Sequence, residues 1–359
     1  MNSRHNPLIG GLKAAAPTAG IVVPLAVLVA LVSLGDQAMA DAGIGALVDM
    51  VMAVGLFTFW GISGVLSFGH IAFVSIGAYT SALLTIPLTT RAFVLPALPK
   101  FLANTETSFV MATIVAAVVA AAFSALVAIP MMRLSGDAAG IASFALLIVV
   151  LNVTSNWTQL TGGLGTLTGV PTDLTLWGAY ACAAVVIIAA AVYGRSRSGR
   201  RLRASREDEV AAQAVGVKVH RERRVAFVLS GAMMGVAGSM YAHWLGSFGP
   251  TDFYMDLTFL IVVMLIIGGL RSLLGAVVGA IIVSVLVWVL ARWESGQPVA
   301  FLSIPLPLGF SDLVLAVVLV LILLRRPDGL TRSRELSWPS RKRRLQEAAN
   351  AEVAERELA

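Results

Sequence analysis

The sequence predicts an all-α protein that crosses a membrane about ten times. Hydrophobic residues make up 58% of the 359 residues and charged residues only 13%, whereas soluble domains carry about 25% charge. Many long intervals contain no ionisable residue, and each is near the roughly 20 residues that a spanning helix requires. No polar stretch is long enough to form a separate water-soluble core, so we predict one membrane domain with short polar ends.

The intervals between ionisable residues define the ten predicted helices. The first helix covers 14–34, and the interval 50–90 is long enough for two helices that meet at a polar break around Gly69. The interval 138–172 gives one helix followed by a Gly/Thr-rich loop at 161–168. The remaining helices cover 107–132, 174–194, 225–245, 257–270, 272–291 and 308–324, of which 257–270 is short for a span.

Basic residues are divided unequally between the two predicted sides of the membrane. With the N-terminus inside, 23 of the 26 Lys and Arg residues fall on the inner side and three fall outside. This bias predicts that both termini are cytoplasmic. We therefore predict a cytoplasmic segment 1–13, a membrane domain 14–324 with a cytoplasmic loop at 195–224, and a charged cytoplasmic tail 325–359. The net charge of +6 does not indicate nucleic acid, because aromatic residues are not interleaved with the basic blocks.

The first apolar segment has two interpretations. Basic residues, an apolar run and the small residues at 38–40 together imitate a cleavable signal peptide. The apolar run is longer than the roughly 7 to 15 residues of a signal core, and Asp36 precedes the small residues. These two features favour an uncleaved first helix.

The sequence offers no pattern for catalysis or metal binding. None of the four lysines follows a glycine, so the Gly-x-x-x-x-Gly-Lys-Ser/Thr phosphate-binding loop is missing. The four histidines and the single Cys182 lack the spacing of metal ligands. We predict a protein without its own ATPase site, without a metal and without a cofactor.

Polar groups inside predicted spans are candidates for function, because their burial in a membrane is costly. His70 lies at a predicted helix break, where it either faces a pathway or packs against a neighbouring helix. Asp49 and Asp312 are expected near the outer ends of their helices, where a carboxylate can reach the interface. Glycines at helical spacing predict close helix packing at Gly231, Gly235, Gly238, Gly275 and Gly279.

The cytoplasmic loop contains a predicted helix from Arg206 to Val215. Ser205 with Asp208 resembles a capping box, and Gly216 suits the position after the last turn. A small apolar face on this helix either docks into a partner's groove or lies against the chain's own membrane domain or lipid headgroups. The residues of that face are Val210, Ala211, Ala214 and Val215, and the polar stripe beside it comprises Arg206, Glu209 and Gln213.

Short motifs in a fixed order, covering about residues 45 to 330, resemble the branched-chain amino-acid ABC permease family. They are most similar to the larger of its two paralogous permease subunits, the LivM type. The motifs include Ser67-Phe68-Gly69-His70-Ile71-Ala72-Phe73, Gly77-Ala78-Tyr79, Thr161-Gly162-Gly163, Gly169-Val170-Pro171, Gly199-Arg200-Arg201-Leu202-Arg203-Ala204, Glu209 to Gly216, Tyr241-Ala242-His243, Gly268-Gly269 and Arg326-Pro327-Asp328-Gly329-Leu330.

This resemblance implies a bacterial inner-membrane importer in which the chain is one of two different permease subunits. Two cytoplasmic ATPases and a periplasmic solute-binding protein are the other implied partners. The implied ATPase-coupling helix comprises Arg206, Glu207, Glu209, Val210, Ala211, Ala212, Ala214, Val215 and Gly216.

The chain departs from the family pattern at two places. Val210 stands where the importer motif has Glu, and Arg271 stands where relatives usually have Gly.

The predicted mechanism is alternating access driven by the partner ATPases and transmitted through the coupling helix. Polar breaks could expose backbone donors and acceptors to the solute, as in other transporters. The residues predicted to line this pathway are Ser67, Gly69, His70, Thr161, Gly162 and Gly163. Branched-chain or related amino acids are the expected solute. Urea, an amide or another small solute is an alternative, and a stand-alone secondary transporter is an alternative of another class.

We predict that a tag placed after Ala359 is labelled only from the cytoplasmic side of intact cells, because 23 basic residues lie on that side and three on the other. Labelling with a membrane-impermeant reagent measures this directly. A tag in the loop around Lys100 is the matched control and should be labelled from the periplasm. Periplasmic labelling of the C-terminal tag would show that the topology is wrong.

Overall fold

A computed structural model describes residues 7–96, 98–99, 105–134, 136–296, 307, 309–326 and 329–331, with side chains from residue 18 onward. This part of the chain is helical apart from its connections and a bridge between Leu167 and Phe248. In chain order the helices are α1 (Pro7–Val32), α2 (Gln37–Leu56, extended by a π-helical turn Phe57–Gly61), α3 (Ile71–Thr85), α4 (Leu88–Val94), α5 (Phe109–Met131), α6 (Asp137–Asn156), α7 (Thr158–Thr161), α8 (Leu176–Arg195), α9 (Arg197–Glu207), α10 (Glu209–Ala214), α11 (Val219–Leu245), α12 (Met255–Gly268, preceded by a 3-10 turn Pro250–Phe253), α13 (Leu273–Glu294) and α14 (Phe310–Arg325).

Each of the ten predicted spans coincides with an apolar helix. Seven helices are long and apolar enough to cross a membrane, namely Gln37–Gly61, Phe109–Met131, Ala138–Asn156, Leu176–Arg195, Val219–Leu245, Pro250–Gly268 and Leu273–Glu294. Three shorter apolar stretches, Thr18–Val32 within α1, Ile71–Thr85 and Phe310–Ile322, occupy the other predicted positions. The all-helical, multi-pass architecture is confirmed, whereas a full crossing at these three positions stays a prediction.

The predicted bounds are wrong at several helices: α1 and α11 begin earlier than predicted, at Pro7 and Val219, and the second and eighth helices also differ. The second helix begins at Gln37, where Asp36 accepts a hydrogen bond from the Met39 backbone N–H at 2.8 Å, and not at Met50. The predicted start is late because the prediction places ionisable residues outside the spans, whereas this helix contains two of them. The eighth helix is longer than predicted, because the 3-10 turn from Pro250 extends the apolar segment to 19 residues.

Successive long helices run antiparallel, which gives the bundle two distinct ends. We call the end that carries residues 196–218 the basic-loop end. Here Arg195 donates a hydrogen bond to Thr18 Oγ1 in α1 at 3.1 Å, and the Leu330 backbone N–H donates to Ile267 at 2.9 Å. The described chain thus starts and finishes at the basic-loop end. The predicted tail 325–359 lies outside the described residues apart from 325–326 and 329–331.

Helix α11 is the centre of the bundle and packs closely on α3 and α5. A Cβ atom at Gly238 would overlap the Val74 carbonyl of α3, and one at Gly235 would lie 2.7 Å from the Ala116 carbonyl of α5. Gly275 and Gly279 likewise bring α13 against α12. The predicted glycine seams are therefore confirmed, and they permit the close backbone approach that replaces the hydrophobic effect inside a membrane.

Candidate coupling surface and polar breaks

The predicted coupling helix is two helices, α9 and α10, with a break at Asp208. Asp208 has an extended backbone and caps α10 by accepting a hydrogen bond from the Ala211 backbone N–H at 2.9 Å. Ser205 is not the cap, because it lies within α9 and donates its hydroxyl to the Leu202 carbonyl at 2.8 Å. The prediction of a single helix from Arg206 to Val215 is thus wrong. The predicted end is confirmed, since Gly216 follows Val215 with a φ of +84°, a conformation that favours glycine.

Helix α10 presents an apolar face that nothing covers in the described part of the chain. Val210 is 79% exposed and Val215 is 80% exposed, and both Ala211 and Ala214 are also exposed. Ala212 is on the inner side of the helix and is buried. The exposed side chains are all small, so this face suits a shallow groove and not a deep pocket.

An ion pair anchors α10 to the second turn of α11. Glu209 Oε2 lies 2.7 Å from Nη2 of Arg223, whose side chain is only 6% exposed. The Nε and Nη1 atoms of Arg223 have no hydrogen-bond partner among the described residues, so Glu209 supplies most of the compensation for this buried charge. The ion pair fixes the orientation of α10 and keeps its apolar face outward.

A second set of contacts joins α9 to the membrane helices. Arg206 donates to the Gly61 carbonyl at 2.5 Å and to Glu207 at 2.8 Å, and Arg271 lies 3.9 Å from the same Glu207 carboxylate. The hydrogen bond from Arg206 and the charges of Arg206 and Arg271 hold the pKa of Glu207 below its usual value. Arg271, the departure from the family pattern, is therefore accommodated in the turn before α13 by an acidic neighbour.

A cleft of about 520 Å³ lies between these contacts and the start of the polar break. Its walls come from α2, the 61–66 segment, α9, α10 and the turn before α13. A movement of α10 would consequently displace the ends of several membrane helices that line the same cleft. The cleft is lined by Trp60, Gly61, Ser63, Gly64, Val65, Leu66, Gly136, Ser205, Arg206, Glu209, Arg223, Leu270 and Arg271.

The Ser67–His70 break is packed within the bundle near the basic-loop end. His70 is 1% exposed and its Nδ1 lies 2.7 Å from Ser67 Oγ. Its ring stacks on Phe59 at 5.2 Å and meets Phe227 edge-on at 5.2 Å. Gly69 contacts α6 so closely that a Cβ atom would overlap the Ser143 carbonyl. These contacts account for His70 and Gly69 as packing residues in this conformation.

The Thr161–Gly163 loop lies at the other end of the bundle. Thr161 donates its hydroxyl to the Thr154 carbonyl at 2.6 Å, and both Gly162 and Gly163 have positive φ. A Cβ atom at Gly163 would lie 3.5 Å from the Ser155 carbonyl. Ser155 belongs to α6, and the Gly69 break contacts Ser143 of the same helix. At a rise of roughly 1.5 Å per residue, the stretch of α6 from Ser143 to Ser155 places the two breaks about 18 Å apart. The structure does not bring them into one site.

Sequence reasoning missed the position of Asp49. The expectation that it lies near a helix end is wrong, because it is twelve residues from Gln37 and twelve from Gly61 within one candidate span. Its Oδ2 accepts a hydrogen bond from Ser284 of α13 at 3.2 Å. The N-cap signal at Asp36 could have revealed this, since it predicts a helix start well before Asp49. Asp312, by contrast, lies in the first turn of α14 as expected.

The antiparallel bundle, its central glycine seam and a small exposed helix on a polar loop define a multi-pass membrane transport subunit. The family model described as "Branched-chain amino acid transport system / permease component" matches residues 44–323. The chain belongs to this family. It is a permease component of the branched-chain amino acid ABC transport system family, a transport subunit that lacks an ATPase domain.

Curated relatives agree with this assignment. The chain is 24% identical to the high-affinity branched-chain amino acid transport system permease protein LivM of Escherichia coli, over 79% of this chain and 68% of the relative. It is also 24% identical, with the same coverage, to the LivM protein of Salmonella typhimurium. The LivH permease of Salmonella typhimurium is 30% identical over 38% of this chain and 40% of its own length. No solved structure was found to match the chain.

We predict that Glu209→Ala loosens α10, because the buried Arg223 guanidinium loses the only charged partner that it has among the described residues. An unpaired buried group of this kind costs about 1 to 3 kcal/mol, so local opening should become roughly 5- to 150-fold more frequent. Hydrogen–deuterium exchange across residues 209–215 measures it. The double variant Glu209→Ala/Arg223→Met is the control and should recover much of the protection. Unchanged exchange in Glu209→Ala would show that the ion pair does not hold α10.

Proposed function

We propose that this chain is a permease subunit of a bacterial inner-membrane ABC importer for branched-chain or related amino acids. The observation that carries the proposal is the exposed apolar face of α10 at the basic-loop end, in a chain of the ABC permease family. A family member without an ATPase domain needs an external source of energy. The exposed face is where a separate ATPase subunit docks.

The complete importer contains four kinds of subunit. A second paralogous permease pairs with this chain, two cytoplasmic ATPases bind from the basic-loop end, and a periplasmic binding protein delivers the solute to the opposite end. Both termini and the 195–224 loop face the cytoplasm, in accordance with the bias of basic residues.

Energy passes from the ATPases to the membrane helices through short, rigid contacts. ATP binding draws the ATPases together and moves α10. Glu209 transmits the displacement to α11 through Arg223, and Arg206 transmits it to the end of α2 through the Gly61 carbonyl. The permease pair then opens outward to accept solute. The Asp208 break supports this proposal, because it lets α10 change its angle without unwinding α9.

The two polar breaks are proposed as separate places on the solute route. The Thr161–Gly163 loop belongs to the periplasmic entrance, and the Ser67–His70 break belongs to the cytoplasmic exit. Positive-φ glycines leave backbone groups of the Thr161–Gly163 loop accessible to a solute, and Gly162 is exposed. His70 is buried in the present conformation and would meet a solute only after the α6 contact opens.

We predict that Ala211→Asp or Ala214→Asp abolishes ATPase binding, because docking would bury an unpaired carboxylate. Mismatched desolvated groups at interfaces commonly cost about 2 to 5 kcal/mol. Pull-down of the ATPases from membranes, together with solute-stimulated ATP hydrolysis, measures the effect. Expression should be unchanged, since no membrane helix is altered.

Gln213→Glu is the matched control for charge, because it adds a carboxylate to α10 beside the apolar face. It should retain the ATPases. Equal recovery of the ATPases by the Asp variants, with transport intact, would mean that coupling occurs elsewhere.

The proposed solute rests on the family and on relatives whose names state branched-chain amino acid transport. We expect the reconstituted importer to take up leucine, isoleucine or valine with ATP and to ignore urea. Competition by a panel of unlabelled solutes measures this. Uptake of urea or an amide with no amino acid transport would favour the alternative solutes, and gradient-driven uptake by this chain alone would favour a secondary transporter. Family membership argues against the secondary transporter.

A further inference from the structure

Asp49 is an acidic residue in the middle of a membrane-spanning helix. It lies about 18 Å from either end of Gln37–Gly61, at a rise of roughly 1.5 Å per residue. The hydrocarbon core is about 30 Å thick, so the Asp49 carboxylate is near the midplane when this helix crosses it. Acids at this depth are rare and commonly mark ion or substrate pathways.

The described surroundings of Asp49 provide a hydrogen-bond donor that orients the carboxylate but no opposite charge. Ser284, which is only 9% exposed, donates its hydroxyl to Asp49 Oδ2 at 3.2 Å. Throughout the described part of the chain, no basic side chain forms an ion pair with Asp49. The residue is partly exposed, so one side of it faces out of the packed core. This partial exposure leaves the residue accessible to a group from outside the described part of the chain.

Aromatic and acidic groups continue from Asp49 toward the end of the bundle that is opposite the basic loop. Tyr241 of α11 lies within electrostatic range of both Asp49 and Asp252, and Asp252 belongs to the 3-10 turn at that end. Tyr241 contacts Trp244 at a ring distance of 6.1 Å, and both rings are partly exposed. Carboxylates and aromatic faces attract cations and disfavour anions.

We propose that Asp49 binds the ammonium group of the translocated solute near the membrane midplane, with Ser284 as a positioning residue for its carboxylate. The inference rests on the proposed function, because an amino acid supplies the required ammonium group. Asp252 and Tyr241 form the approach to this site from the periplasmic side. An uncharged solute such as urea offers no compensating charge for Asp49, so the site selects amino acids against it.

The first test measures uptake by the complete importer in liposomes. We expect Asp49→Asn to raise the half-saturating leucine concentration at least tenfold, with basal ATP hydrolysis and ATPase association unchanged. Ser284→Ala should have a smaller effect in the same direction. Asp41→Asn is the matched control, since Asp41 is an exposed acid two turns earlier on the same helix. Wild-type half-saturation in Asp49→Asn would overturn the proposal.

A second measurement does not depend on transport. Cys182 is the only cysteine of this chain, so Ser284→Cys in a Cys182→Ser background carries one thiol beside an intact Asp49 carboxylate. We expect this thiol in the purified complex to react faster with the cationic reagent 2-aminoethyl methanethiosulfonate than with its anionic sulfonatoethyl counterpart. Millimolar leucine should slow the reaction. A thiol that is unreactive, or that leucine does not protect, would mean that Asp49 has a packing role.

The two proposals fail in different ways. If the wild-type importer moves no amino acid but moves another solute, the proposed solute is wrong whatever Asp49 does. If it moves leucine, but Asp49→Asn leaves uptake unchanged and leucine does not protect the thiol beside Asp49, the importer assignment stands and the ammonium site is wrong.

Discussion

The close approach of α11 to α3 and α5 is the constraint on which the rest of the structure depends. Inside a membrane, helices gain little from the hydrophobic effect, so they associate through backbone contacts that only small side chains permit. Gly235 and Gly238 provide these contacts on α11, where any Cβ atom would meet a neighbouring backbone. Because α11 is held in the centre, its two ends fix the positions of the loops attached to them.

One end of α11 organises the coupling surface and the other end lies beside the proposed ammonium site. Arg223 in its first turns holds Glu209 of α10, and Tyr241 near its last turn lies within electrostatic range of Asp49. Eighteen residues separate Arg223 from Tyr241, or about 27 Å along a straight helix. In the proposed mechanism this single packed helix therefore connects the ATPase-facing surface with the solute. Displacement at one end is transmitted to the other because a helix held on several sides moves as a rigid element.

The polar groups of the bundle fall into two kinds with different structural roles. His70 is enclosed by aromatic rings and contacts Ser67, so it is a packing residue in this conformation. Asp49 is partly exposed and has a hydroxyl donor but no described cation. His70 lies in the break before α3, whereas Asp49 lies within α2. Depth and partners, and not residue type alone, distinguish a packing role from a solute-binding one.

Composition and the intervals between charges determined the helical class, the approximate positions of the ten apolar helices and the glycine seams. These features are local, because hydropathy and residue size act wherever the helix lies. Only the tertiary structure decided which residues contact Asp49 and which residue anchors α10. It also placed the two polar breaks about 18 Å apart, since each contacts a different turn of α6. Asp49 is held by Ser284 and Glu209 is held by Arg223, and both partners lie far away in the chain. Residue spacing in the sequence does not encode those contacts.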